Sequence, residues 1–140
     1  MDPSAQLARR PTSAQMVTRY EEMQKKIRDQ LDAAIGPFPW RSDDPGDRAG
    51  CGGDFTNRGG VVVYLPRWEF TGNIRDADWP RAKEIITTVT AQYGMTTPTL
   101  QIDEAGRHTT TGVDPDLGAN YDFGTQRNTT MQVTTGCHRR

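Results

Sequence analysis

The sequence has 140 residues, of which 34 % are hydrophobic, and its formal net charge is −1. This length and apolar content predict one domain with a single modest core and exclude a second domain. The balanced charge excludes a global field that attracts nucleic acid or an acidic membrane, and no apolar run approaches the roughly 18 residues of a membrane span.

The N-terminal segment, residues 1–12, is rich in arginine and proline and predicts a flexible arm or a cloning remnant. It contains no signal peptide, because Met1 is followed directly by polar residues. We therefore expect the sequence to be a mature or truncated form. The rest, residues 13–140, is predicted to form a single globular domain.

The first predicted helix covers residues 13–35. Thr12 or Ser13 can cap its N-terminus, and Gly36-Pro37 ends it. Its apolar residues recur at spacings of three and four, which is typical of one buried stripe: Met16, Tyr20, Met23, Ile27, Leu31 and Ile35.

A long irregular segment follows, residues 36–60. Loops of this length inside a compact domain are uncommon, and they are functional or disordered. This one carries Phe38, Trp40, Phe55 and Cys51. We therefore expect it to be pinned to the domain.

Residues 61–65 are β-branched and apolar and predict a strand, which Pro66 interrupts or ends. After the proline, Trp68 and Phe70 share one face of the chain. A second helix then begins after Asp78, which is its predicted cap. It ends at a C′ glycine and has the following core stripe: Trp79, Ala82, Ile85, Ile86, Val89 and Tyr93.

The C-terminal third predicts four short strands. In the first, Leu100 and Ile102 alternate with polar residues, and the second, residues 107–111, is polar enough to be an edge strand. Tyr121 and Phe123 share one face of the third. In the fourth, the residues of one parity are Met131, Val133, Thr135 and Cys137.

This element order predicts an α+β fold. Because a helix, a strand and a second helix precede a run of strands, we expect a mainly antiparallel sheet of four or five strands. Both helices are predicted to pack on one face of that sheet, as a two-layer sandwich.

Cys51 and Cys137 are the only two cysteines, and they are 86 positions apart. Two lone cysteines cannot form a four-cysteine zinc site or a Cys-x-x-Cys redox pair. We therefore predict one structural disulfide between them, which indicates an oxidising compartment outside the cytoplasm.

Candidates for catalysis are scarce. His108 lies in the polar strand, and His138, third from the C-terminus, is predicted to be exposed. The sequence has no serine nucleophile motif and no phosphate-binding loop. The spacing of Asp43, Asp44 and Asp47 does not match a calcium loop, so we predict a solvated turn there. We expect no metal and no cofactor.

The best binding candidates are the aromatic residues of the long segment and of the first strand region, Phe38, Trp40, Phe55 and Trp68. A shallow groove lined by them could hold a lipid chain, a glycan or a partner's side chain. Arg41 and Arg58 could pair with its phosphate or carboxylate groups. The alternative is that the aromatics roof the core and the arginines are solvated surface.

Several short motifs form a recognisable order along residues 17–138: Tyr20-Glu21, Trp40, Asp43-Asp44, Cys51, Phe70, Tyr93-Gly94, Thr96-Thr97, Tyr121-Asp122-Phe123 and Thr135-Gly136-Cys137. This order resembles the mycobacterial LppA-type lipoproteins, including LppV-like members. The resemblance implies an exported protein anchored by a lipidated N-terminal cysteine, although this sequence lacks that cysteine. It implies no catalytic residues.

The combined expectation is a non-enzymatic lipoprotein of the cell envelope that binds an envelope lipid, glycan or protein. It would contact the membrane only through its lipid anchor and would not bind nucleic acid. The alternative is a hydrolase of envelope components that uses carboxylates, with or without His108, because a pair of carboxylates that meet in space is invisible in a sequence.

Overall fold

The computed structural model describes residues 2–140, and Met1 lies outside the described part. The described chain contains three α-helices: α1 (Pro3–Arg9), α2 (Ser13–Ile35) and α3 (Trp79–Gln92). It also contains eight strands: β1 (Asp47–Gly50), β2 (Gly60–Tyr64), β3 (Trp68–Thr71), β4 (Thr97–Glu104), β5 (Arg107–Val113), β6 (Asn120–Thr125), β7 (Asn128–Thr134) and β8 (His138–Arg139). Two short 3₁₀ turns lie at Gly53–Phe55 and Asp76–Asp78.

All eight strands belong to one antiparallel sheet with the order β1-β2-β7-β6-β5-β4. β3 pairs with β7, and β8 pairs with β2. Because Pro66 interrupts the chain between them, β2 and β3 occupy successive parts of the same edge of β7.

The predicted number of four or five strands is therefore wrong. β1 is exposed along its whole length, and β8 has only two residues. Neither has the alternation of apolar and polar residues by which a strand is recognised in a sequence. The α+β class and the antiparallel arrangement are confirmed.

The core lies between the helices and one face of the sheet. Apart from Ile35, which is partly buried and packs against the core, the predicted stripes of α2 and α3 belong to one cluster of buried residues, together with Tyr121, Phe123, Met131 and Val133 of the sheet. Phe123 lies opposite Met131 in the register of β6 and β7, and Tyr121 lies opposite Val133. Both long helices therefore pack on the same face.

The helix ends agree with the prediction at α2 and differ at α3. Thr12 and Gln15 form a capping box at the start of α2, in which each side chain accepts the other's backbone N–H. Asp78 does precede α3, but its side chain makes no capping bond. It pairs with Arg75 at 2.9 Å, because an arginine three residues earlier competes for the carboxylate.

The strand containing residues 107–111 is not an edge strand. β5 lies between β4 and β6, and the edge is β4. Polar residues are accommodated inside because they bond to each other: Thr110 is fully buried and donates to Gln101 Oε1 at 2.7 Å. Leu100, by contrast, is 59 % exposed, and a register shift between Pro98 and Gln101 precedes this part of β4.

The expected flexible arm covers residues 1–12, and its described part, residues 2–12, instead packs on the domain. Residues 3–9 form α1, and Leu7 is buried. Arg10 Nη1 donates to the carbonyl of Cys137 at 2.9 Å, and Arg139 Nε donates to the carbonyl of Leu7 at 3.2 Å. A seven-residue helix has little stability of its own, so these contacts with the other end of the chain hold it, and no local pattern predicts them.

The same junction buries His138, which the sequence analysis placed at the surface. Its side chain is 0 % exposed, and its Nδ1 lies 2.8 Å from the carbonyl of Pro11. Burial lowers the pKa of His138 below its usual value, and the nearby Arg10 lowers it further. The nearby Asp114 and the bond to Pro11 act in the opposite direction.

We expect His138 to make stability depend on pH. Its pKa is lower in the folded state, so the unfolded chain binds more protons as the pH falls through about 6.5. Stability is therefore complete above that pH and decreases below it, by up to about 1.4 kcal/mol for every pH unit between the two pKa values. The measurement is the melting temperature between pH 7.5 and pH 5.5.

His138→Asn is the matched control, because asparagine can still donate to the carbonyl of Pro11 and does not titrate. The melting temperature of this variant should fall less than that of the wild type across the same range. If the two proteins lose stability in parallel, another group causes the pH dependence.

Candidate functional site

The structure places five of the six predicted binding residues on two separate surfaces and the sixth, Trp68, in the wall of a groove beside α2. Phe38 and Trp40 pack at the end of α2, where Phe38 is stacked on Phe70 with ring centroids 4.5 Å apart. Trp40 lies perpendicular to Phe70 at 4.8 Å. Asp32 Oδ1 accepts both the Phe38 backbone N–H at 3.1 Å and the Trp40 indole N–H at 3.0 Å. These two aromatics are partly buried and pack against the core, which they cover at the end of α2.

Arg41 lies next to this aromatic group. Its backbone pairs with that of Glu69, and its guanidinium is 3.4 Å from Asp43 Oδ2 and 3.5 Å from Glu69 Oε1. Because two carboxylates already surround it, an incoming anion would have to compete with them.

Phe55 and Arg58 lie beside α1. The guanidinium carbon of Arg10 is 4.8 Å from the centroid of the Phe55 ring, and Arg58 Nη1 donates to Ser4 Oγ at 3.2 Å. This surface includes the disulfide, for which Cys51 and Cys137 have Cα atoms 5.8 Å apart. The predicted disulfide is therefore present, and it pins the long segment as expected.

A groove that the sequence analysis did not identify lies between α2 and the connection from β2 to β3. Its volume is about 580 Å³, within the range of small-molecule sites. One wall is the side of α2 from Thr18 to Arg28, and the other contains Ser42, Asp44, Pro66 and Trp68. We call it the α2 groove. Its walls are distant in sequence, and only the break at Pro66 turns Trp68 toward the helix, so no local motif marks it.

An arginine and an indole stack in the α2 groove. The guanidinium carbon of Arg28 lies 3.6 Å from the centroid of Trp68. Partial burial lowers the pKa of Arg28 from its usual value, although Asp29 and Asp32 oppose the change. Arginine remains charged in proteins, so the pair provides a flat wall with donors along its edge.

Gln24 lines the same groove and has an unusual environment. Its side chain is 1 % exposed, and its amide Nε2 is buried without a hydrogen-bond partner. One turn earlier, the buried hydroxyl of Tyr20 also has no partner, and burial raises the pKa of Tyr20 to about 12. A buried donor without an acceptor lowers the free energy of unfolding by about 1–3 kcal/mol. Gln24 therefore reduces the stability of the fold.

The charged groups of the α2 groove are mixed. Glu21, Glu22 and Asp44 provide carboxylates, and Lys25 and Arg28 provide cations. The ammonium of Lys25 is already paired with Asp29 at 2.6 Å. The groove therefore presents hydrogen-bond donors and acceptors together, without a strong excess of either charge.

The hydrolase alternative requires a pair of carboxylic acids of which at least one is buried, and no two buried carboxylic acids meet among the described residues. Among residues 2–140, Asp114 is the one buried carboxylic acid, and its Oδ1 accepts the backbone N–H groups of Asp116 and Leu117. The carboxylates of Glu21 and Glu22 in the α2 groove belong to exposed residues. A general acid needs a carboxyl whose burial keeps it protonated. Partial burial raises the pKa of Asp122 in β6, but Asp122 is not among the residues that line the α2 groove.

His108 has no ring nitrogen available for a substrate. Its Nδ1 lies 2.8 Å from Asp103 Oδ1, its Nε2 lies 2.7 Å from Asp76 Oδ1, and its ring stacks on Trp79 at 5.0 Å. The Gly106 N–H and the His108 ring lower the pKa of Asp76 below its usual value. This cluster joins the β4–β5 turn to the start of α3.

The described part of the chain contains no group of three or more His, Cys, Asp or Glu residues placed to hold a metal ion. None of the helices described is long and apolar enough to cross a bilayer.

Comparisons with known proteins identify similar sequences and folds. The model of the LppA family, described as a lipoprotein confined to pathogenic Mycobacterium, matches residues 2–140. No curated protein matches the chain.

Two crystal structures are similar to this one. LppA from Mycobacterium tuberculosis has a TM-score of 0.76 and 17 % sequence identity, and the match covers 97 % of this chain and 82 % of that chain. A DUF4853 family protein from Actinomyces odontolyticus has a TM-score of 0.68 and 12 % identity, with 96 % and 72 % covered. At these identities the structural likeness shows the fold alone.

Proposed function

Because this chain belongs to the LppA family of lipoproteins, we propose that it is a non-enzymatic protein of the cell envelope that binds a ligand in the α2 groove. Family membership confirms the resemblance found in the sequence motifs. It also supports a location outside the cytoplasm, which agrees with the Cys51–Cys137 disulfide.

In the proposed native form, an N-terminal lipid holds the protein at the membrane. Both cysteines of this sequence are joined in the disulfide, so neither can carry the lipid. The lipidated residue therefore belongs to a part of the native protein outside this sequence.

One observation carries the binding proposal, namely the buried amide of Gln24 beneath a groove walled by Arg28 and Trp68. Residues that lower stability without a packing reason are found at functional sites. An acceptor atom of a ligand that reached the Gln24 amide would give this buried donor a partner. The free energy lost through the unpaired donor would then contribute to binding.

The groups of the α2 groove favour an uncharged, hydroxyl-rich ligand. A hydroxyl can donate to the carboxylates of Glu21 and Asp44 and can accept from Arg28 or Gln24. An anion would meet the carboxylates, and a cation would meet Arg28. A sugar ring satisfies both kinds of group and can lie against the apolar wall of Pro66 and Trp68. Among envelope ligands, we therefore propose a glycan.

The binding test uses Gln24→Met and Trp68→Ala, measured against an array of bacterial envelope oligosaccharides and by calorimetry with any that bind. We expect each variant to lose at least ten-fold in affinity. Gln24→Met should also raise the free energy of unfolding by about 1 kcal/mol, because it removes a buried unpaired donor while keeping the side-chain volume.

Gln30→Met is the matched control, since Gln30 is an exposed glutamine of the same helix. It should change neither binding nor stability appreciably. The proposal fails if no oligosaccharide binds the wild type, or if Gln24→Met destabilises the protein, since the amide would then have a structural role. Enrichment of a lipid or a protein in place of a glycan would overturn the ligand class.

A further inference from the structure

The two ends of the chain meet on one surface, and arginines dominate it. Arg10 donates from Nη1 to the carbonyl of Cys137, and Arg139 donates from Nη2 to the carbonyl of Arg10 at 3.0 Å. Arg58 contacts Ser4 of α1, Arg9 is the last residue of that helix, and Arg140 follows β8. We call these five residues the terminal arginine patch: Arg9, Arg10, Arg58, Arg139 and Arg140.

The arginines of this patch have no carboxylate partner among the residues described. Their bonds go to backbone carbonyls and to the Ser4 hydroxyl, which do not neutralise their charge. Five other arginines each lie within 3.8 Å of a carboxylate oxygen: Arg41, Arg67, Arg75, Arg81 and Arg107. Four more, Arg19, Arg28, Arg48 and Arg127, also lack an ion pair among the described residues, so what distinguishes this surface is that several unpaired arginines lie at the junction of the two chain ends.

The local balance of side chains is positive although the net charge of the protein is −1. The five arginines are accompanied by four aspartates: Asp2, the cap of α1; Asp54, in the turn beside α1; Asp114, buried in the loop that Arg10 contacts; and Asp116, whose carbonyl accepts from Arg10. The overall charge therefore conceals a separation of charge along the molecule. An approaching surface responds to the local field, because salt screens the more distant charges within about 8 Å at physiological ionic strength.

The position of α1 indicates what this surface faces. The segment that leads toward an N-terminal anchor is α1, and its contacts hold it on the domain, so residues 2–12 do not act as a free spacer. An N-terminal lipid would therefore bring this end of the domain nearest to the bilayer. This step rests on the proposed anchoring in the envelope and is independent of the α2 groove.

We propose that the terminal arginine patch binds the headgroups of anionic phospholipids. The planar guanidinium matches phosphate oxygens in a bidentate geometry. Arg9 and Arg140 are exposed, and their side chains make no hydrogen bond or ion pair within the described chain, so their guanidinium groups are free to do so. Stable attachment through lipid chains is reinforced by a basic patch. The patch would then fix which way the domain faces and leave the α2 groove free for its ligand.

The test is cosedimentation of the soluble chain with vesicles of phosphatidylcholine mixed with phosphatidylglycerol, against vesicles of phosphatidylcholine alone. We expect binding to the anionic vesicles only, weakening as salt is added. Arg9→Gln combined with Arg140→Gln should weaken it about thirty-fold, because each basic residue near an anionic surface contributes about a factor of five. Neither residue makes a structural contact, so this variant should fold normally.

Arg81→Gln combined with Arg127→Gln is the charge-matched control, and it should bind the vesicles as the wild type does. Equal weakening in both double variants, or equal binding to neutral vesicles, would overturn the proposal. Failure to bind vesicles together with binding to polyglutamate would assign the patch to an acidic protein. Gln24→Met should bind vesicles normally, which separates failure of this inference from failure of the groove.

Discussion

Replacing Cys51 and Cys137 together by serine is expected to lower the free energy of unfolding by about 2–5 kcal/mol. The disulfide closes a loop of 86 positions, and in the chain-entropy model a loop of that length is worth about 4 kcal/mol. It also joins the segment beyond β1 to the segment before β8. An added Cβ at Gly60 would lie 2.6 Å from the sulfur of Cys137, so the strand beside the disulfide leaves no room for relaxation.

Chemical denaturation of the double variant measures this loss directly. Wild-type protein in reductant should lose a similar amount, while the variant should be insensitive to reductant, and that comparison is the control. Two free thiols, found by mass spectrometry in protein isolated from an oxidising compartment, would contradict the prediction. A denaturation midpoint of the wild type that stayed unchanged after verified reduction would contradict it as well.

Replacing His108 by alanine is expected to lower the free energy of unfolding by about 2–3 kcal/mol. The variant loses a buried ring together with its contacts to Asp76 and Asp103, and large-to-small changes in a core typically lower stability by about 2–5 kcal/mol. The carboxylates recover part of that in water, because their side chains are 56 % and 72 % exposed. It also loses the stack on Trp79, worth about 0.5–1.5 kcal/mol.

His108→Phe is the informative companion to this variant, because it retains a ring against Trp79 and removes both polar contacts. Its stability should lie between that of the wild type and that of the alanine variant. The hydrolase alternative makes a different prediction, which is loss of an envelope-degrading activity without loss of stability. Stability of His108→Ala equal to that of the wild type would show that the Asp76–His108–Asp103 cluster does not support the fold.

The elements that the sequence predicted well have a signal within one element. The stripe of α2 from Met16 to Leu31 is visible because helical periodicity alone places those residues on one face. The disulfide followed from elimination, since two cysteines allow one pairing. In both cases the information needed is contained in a short stretch of sequence or in the number of cysteines.

The elements that were missed depend on contacts between distant segments. α1 exists because Leu7 and Arg10 meet residues near the other end of the chain. β5 is internal although it is polar, because Thr110 and Gln101 satisfy each other across strands. Burial of His138 has the same origin, since its partner Pro11 is 127 positions away.

The candidate site was the least predictable feature. Phe38 and Trp40 were selected for their residue types, but Asp32 and Phe70 hold them against the core. The α2 groove is formed by polar residues of a helix that appear as ordinary solvated surface in the sequence. These residues line a groove only because Trp68 lies opposite the helix, and that position of Trp68 follows from the break in the strand at Pro66.

The closure of the chain between Cys51 and Cys137 has a mechanical consequence. When tension acts between an N-terminal anchor and the C-terminus, the disulfide carries the load directly across residues 51–137, and that length cannot be drawn out. Only residues 2–50 and the last three can unravel, which limits the extension to about 180 Å at roughly 3.5 Å per residue. The first contacts loaded are those of α1 with β8, so a surface tether pulls on this junction before it pulls on the core. Under tension between its two ends, the protein can therefore lengthen only by what its terminal segments supply, while the part closed by the disulfide keeps its length.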